Sequence, residues 1–102
     1  MVFMMATLSG CRLSDKRTFT VETPGVKNEV CAQRVAQALS TLDGVDMASL
    51  RFDLAKKTVT LTYESMKLGK KNIEHAIAHA GFDANDIPAF AAAKAALPDA
   101  CR

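Results

Sequence analysis

The chain has little charge of one sign to offer. Thirteen lysines and arginines stand against eleven aspartates and glutamates, a formal net charge of +2, and the basic residues are scattered. That excludes a basic surface built for nucleic acid or an anionic membrane. No apolar run approaches the ~20 residues needed to cross a bilayer. There is no glycine-rich phosphate loop, no carboxylate pair of defined geometry and no nucleophile with a base placed beside it, so no enzyme signature emerges. No internal repeat is long enough to build on. Histidine is limited to His75 and His79, and cysteine to Cys11, Cys31 and Cys101. A chain of 102 residues supplies one domain and one core.

Residues 1–10, MVFMMATLSG, are uncharged and mostly apolar, and they lead into Cys11. The run Leu8-Ser9-Gly10-Cys11 resembles the lipobox of bacterial lipoproteins, although no basic residue precedes it. The resemblance implies removal of the leader, lipidation of Cys11, and residues 1–17 acting as signal and tether in the bacterial cell envelope. The other reading is an apolar N-terminus with an incidental cysteine, and a cytoplasmic protein.

From residue 18 the periodicity is legible. Thr18–Thr23 is β-rich, with Phe19 and Val21 on one face, and Pro24-Gly25 ends it. Residues 28–42 read as a helix with Cys31, Val35, Ala38, Leu39 and Leu42 on one stripe. Val45–Leu54 reads as a strand, with Leu50, Phe52 and Leu54 alternating inward. After the turn at residues 55–57, Thr58–Glu64 alternates cleanly, with Val59, Leu61 and Tyr63 inward. A second helix covers about residues 70–80, with Leu68 and Ile73 spaced as a hydrophobic staple around an N-cap at Gly69. Gly81 ends it, and Phe82–Asp86 is a short last strand. The order β-α-β-β-α-β predicts an α+β, ferredoxin-like fold: one antiparallel sheet with both helices on one face.

Residues 18–86 resemble the heavy-metal-associated domain, the module of copper chaperones, mercury-binding proteins and metal-pumping ATPases. The resemblance rests on Gly25, on Cys31 four residues before Val35, and on Ala38-Leu39 and Leu42-Asp43-Gly44-Val45. The strand Val59–Tyr63 and the run Ile73, Ala76-Ile77, Ala80-Gly81-Phe82 complete it. It implies a carrier of a soft metal ion such as Cu(I), held by two thiolates. The departure falls on the metal motif. The family reads Gly-Met-x-Cys-x-x-Cys where this chain has Gly25-Val26-Lys27-Asn28-Glu29-Val30-Cys31. Asn28 replaces the first cysteine and suits a helix N-cap, with a metal ligand as its other reading. Val26 replaces the methionine beneath the loop. Cys31 falls in the first helical turn, where the helix dipole favours a thiolate; it also continues the apolar stripe. Phe82 matches an aromatic position that the family places near the loop.

Residues 87–102 extend beyond the domain. Pro88 is suited to open a helix over Ala89–Leu97, and Pro98 stops it. Some bacterial relatives carry a similar leucine-proline tail ending in cysteines, and that likeness implies Cys101 folding back to Cys31. The alternative leaves Cys101 exposed and unpaired. His75 and His79, spaced i, i+4, point away from the Ile73/Ile77 face and read as solvated. Met66, in the loop before the second helix, has the reach to approach the site's end, with plain filler as its more usual role. Three function classes follow. The first is a soft-metal carrier using Cys31, with Cys101 or with Cys31 of a second copy in a homodimer. The second is a metal-free interaction module, and the third a Cys31/Cys101 thiol-redox pair. The expected partners are a metal ion and a metal transporter or other envelope protein, with no nucleic acid and with membrane contact only through a lipid anchor.

Overall fold

The computed structural model describes residues 14–101. Cys11 and the leader-like residues lie outside them, so the lipobox reading has no structural counterpart here. The chain forms β1 (Lys16–Glu22), α1 (Glu29–Ser40), β2 (Val45–Asp53), β3 (Thr58–Glu64), α2 (Lys70–His79) and α3 (Ala91–Ala95), then a single 3-10 turn, Asp99–Cys101.

The central strand is β3, and its strict alternation turns one face wholly inward. Val59, Leu61 and Tyr63 are buried, while Thr58, Thr60 and Thr62 face out. It pairs antiparallel with β1 on one side and β2 on the other, giving the order β1-β3-β2. The register sets Glu22 against Thr58 and Lys16 against Glu64. Val35 and Leu39 of α1 and Ile73 and Ile77 of α2 complete the core, all fully buried. The α+β, ferredoxin-like expectation therefore holds.

Three details differ from the sequence expectation. First, the strand Val45–Leu54 ends at Asp53, and Leu54 is exposed beyond it. Within β2 the pairing jumps between Asp46 and Arg51, and the Ser49 hydroxyl repairs the gap by accepting the Thr62 N–H at 2.8 Å. Second, Phe82–Asp86 is not a regular strand. Asn85 adopts a left-handed backbone (φ 52°), which no extended strand tolerates, and the segment keeps one bridge, Ala84 to Ile87. It still lies along β1, because Asn85 exchanges two hydrogen bonds with the Glu22 backbone, through its own N–H and its side-chain oxygen. Third, α3 starts at Ala91 rather than after Pro88. Ala89 and Phe90 instead donate to the Asp83 carboxylate and the Ala78 carbonyl, so the chain crosses the end of α2 extended.

That crossing brings Leu97 into the core, 4% exposed, over Gly81. Gly81 has φ +104°, and a Cβ there would meet the Ala93 backbone and Leu97 Cδ1, each at 3.1 Å. Gly81→Ala is expected to destabilise the protein by more than about 1 kcal/mol, since neither its φ nor its space suits a methyl. Urea denaturation at fixed redox state checks this, and an unchanged midpoint would contradict the packing of the tail.

Candidate metal centre at the Cys31–Cys101 pair

The loop between β1 and α1 is pinned before it reaches Cys31. Thr23, fully buried, donates its N–H to the Lys57 carbonyl at 2.8 Å, and the Val26 N–H returns to the Thr23 carbonyl at 3.0 Å. Val26 and Phe82 are each 1% exposed, and the Phe82 ring comes within 3.3 Å of where a Gly25 side chain would begin. Both residues are buried beside the loop that leads to Cys31.

Asn28 is the N-cap of α1. Its Oδ1 accepts the Cys31 N–H at 3.1 Å, satisfying one of the helix's unpaired donors. Its Nδ2 donates to the Ala100 carbonyl at 3.2 Å, across 72 positions of sequence. Both polar atoms of Asn28 are thus engaged by backbone groups on the two sides of the cysteine pair.

Cys31 and Cys101 are joined as a disulfide, with Cα atoms 5.6 Å apart, inside the usual span for such a bridge. Cys31 is fully buried and Cys101 is 4% exposed. The Cys101 N–H closes the 3-10 turn on the Pro98 carbonyl at 2.8 Å. The Ala100 carbonyl lies 3.7 Å from Cys31 Sγ. A reduced Cys31 thiol in that place would have the carbonyl as an acceptor.

The other candidates do not join this group. Met66, 63% exposed, follows the end of β3 that pairs with Lys16, whereas Cys31 follows the end of β1 that pairs with Thr58. It therefore lies at the opposite end of the sheet from the cysteine pair. His75 and His79 are exposed and line a shallow groove between the helices with Ala38 and Leu42. The His79 ring stacks on Phe90, with centroids 5.2 Å apart. Among the described residues, no three His, Cys, Asp or Glu side chains converge as a metal-holding cluster.

A family model for the heavy-metal-associated domain matches residues 20–83. The chain belongs to the heavy-metal-associated domain family. Among solved structures, oxidised MerP from Ralstonia metallidurans CH34 superposes with a TM-score of 0.63 at 22% identity, covering 70% of this chain and 96% of that one. The CopZ metallochaperone gives 0.61 at 25% identity, covering 67% and 98%. The water-soluble region of the P-type ATPase CopA from Bacillus subtilis gives 0.62 at 25% identity, covering 72% of this chain and 47% of that one. No curated protein matches the chain. The C-terminal extension brings the Cys101 sulfur, from outside the matched residues, to Cys31 at the start of α1.

Sequence reasoning missed two parts of this arrangement. Leu97, the only large apolar side chain between Phe90 and the chain end, was the available signal for where the tail anchors. The bond from Asn28 to Ala100 had no signal, because its acceptor is a backbone carbonyl that any residue would offer.

Closing 70 residues of chain into a loop stabilises the fold by on the order of 4 kcal/mol in the chain-entropy account. Reducing the disulfide, in a chain carrying Cys11→Ser, is expected to lower the urea midpoint accordingly. An unchanged midpoint would mean that the bridge does not form in solution.

Proposed function

We propose that this protein is a soft-metal carrier in which Cys31 and Cys101, when reduced, hold one Cu(I)-like ion between two thiolates. The observation that carries the reading is the pairing of a family-position cysteine with a cysteine of the tail, 5.6 Å apart at Cα. Two thiolates form a soft donor set, which favours Cu(I) and similar ions over hard cations. The metal is cargo, and the disulfide is the state in which the pair cannot take it. The protein's own contribution is positional. Asn28 and the loop from Thr23 to Val26 fix Cys31 at the start of α1, and the buried Leu97 returns Cys101 to it.

A disulfide suits an oxidising compartment, which supports a cell-envelope location. The described chain enters the domain at Asp15, whose carbonyl accepts from Ser65 at the end of the sheet away from the cysteine pair. An anchor on that side would leave the pair facing away from the membrane, toward a metal transporter or other envelope partner. A second reading is a metal-free interaction module whose disulfide is purely structural. The burial of both sulfurs favours it.

Titration of the reduced Cys11→Ser chain with Cu(I) against a chromophoric chelator separates the two. The carrier reading expects one ion bound in competition with the chelator, and loss of that binding in both Cys31→Ser and Cys101→Ser. Wild-type failure to compete would leave the interaction module or a redox pair. Loss with Cys31→Ser alone would point to a site shared between two copies.

A further inference from the structure

The Asn28 side chain touches the backbone on both sides of the cysteine pair. Its oxygen holds the N–H of Cys31, and its nitrogen holds the carbonyl of Ala100, the residue next to Cys101. A planar amide has one acceptor end and one donor end, so only one orientation serves both partners, and both are served. Asparagine, aspartate and serine cap helices about equally well. Only asparagine adds an N–H donor at the far end of the group: a carboxylate there would face the Ala100 carbonyl with like partial charge, and a serine hydroxyl is too short to span both. A helix cap alone does not explain why this position holds asparagine.

We propose that Asn28 is a positioning residue: it clasps the last turn of the chain so that Cys101 stays against Cys31 and the pair closes more readily. The other anchors act further back. Phe90 is tied to the Ala78 carbonyl and Leu97 is buried, while the Asn28 bond, the disulfide and the turn's own bond from Cys101 to Pro98 act on the last turn itself. The clasp and the disulfide order the same few residues. Each therefore favours the other, and by linkage removing the clasp must make the disulfide easier to open.

Closure is a two-electron exchange. With oxidised glutathione as oxidant, the two thiols lose two protons and two electrons, the Sγ–Sγ bond forms, and the glutathione disulfide is cleaved to two thiols. The equilibrium gives the effective concentration of Cys101 at Cys31. One net hydrogen bond corresponds to a change of roughly three- to tenfold. A tenfold fall makes the reduction potential less negative by about 30 mV.

The inference rests on the Cys31–Cys101 pairing and not on metal binding, so a negative metal titration leaves it standing. The experiment uses the full chain with Cys11→Ser, equilibrated in glutathione buffers, quenched by thiol alkylation and read by mass. Asn28→Asp and Asn28→Ser are compared with the parent, with the urea midpoint of each reduced protein as the measure of the cap. The expected result is an effective concentration three- to tenfold lower in both variants, with reduced-state midpoints close to the parent's. Asn28→Ala should lower both quantities. Unchanged effective concentrations in Asn28→Asp and Asn28→Ser would overturn the clasp, as would a loss that follows the reduced-state midpoint alone. Failure of the parent to form the disulfide in any buffer would remove the pairing itself.

Discussion

Leu97 carries its side chain into the core that Val35, Leu39, Ile73 and Ile77 build from the two helices, and the geometry of the cysteine pair follows from that burial. Burying a leucine is worth roughly 1.5–3 kcal/mol, and it adds to the bonds of Ala89 and Phe90 to the domain and to the Phe90–His79 stack. The helix before Leu97, α3, has only five residues and no buried side chain, and it meets the domain through the Ala93 backbone over Gly81. The turn after it closes on Pro98 and delivers Cys101. Gly81 is the complementary constraint, since only a residue without a Cβ leaves room for Ala93 and Leu97 above it.

In the proposed carrier, a long-range pair stands in for a local motif. Two cysteines three positions apart at a helix start are brought together by the helix itself. Here the second sulfur lies 70 positions away, so its placement depends on the core, on the crossing over the end of α2 and on the Asn28 bond to Ala100. A site assembled this way is coupled to the folding of the tail. Its sulfurs are also buried, so reagents reach them only when the last turn opens.

Where the sequence was legible, one face of an element was buried along its whole length. The alternation of Val59, Leu61 and Tyr63 and the stripe through Cys31, Val35 and Leu39 correspond to the buried faces of β3 and α1. It was less legible where single residues broke the regular pattern. The left-handed Asn85 turns the expected last strand into a bonded loop, and the Ser49 hydroxyl lets β2 skip a stretch of pairing. The alanine-rich tail promised a longer helix than forms, because helix propensity ignores the hydrogen bonds that Ala89 and Phe90 make to the domain. At the site, Asn28 was legible as a cap because capping is local. The meeting of Cys31 and Cys101 was not, since 70 residues of separation carry no local signal and only a likeness to relatives suggested it.

The central claim is that the tail supplies the sulfur that the metal loop lacks, within one chain. X-ray absorption at the copper edge tests it most directly, on the reduced Cys11→Ser protein loaded with one equivalent of Cu(I) and confirmed as a monomer by native mass spectrometry. The account predicts two sulfur neighbours in the monomer and one in Cys101→Ser. Two sulfurs that persist in Cys101→Ser, or copper held only in a dimer, would contradict it.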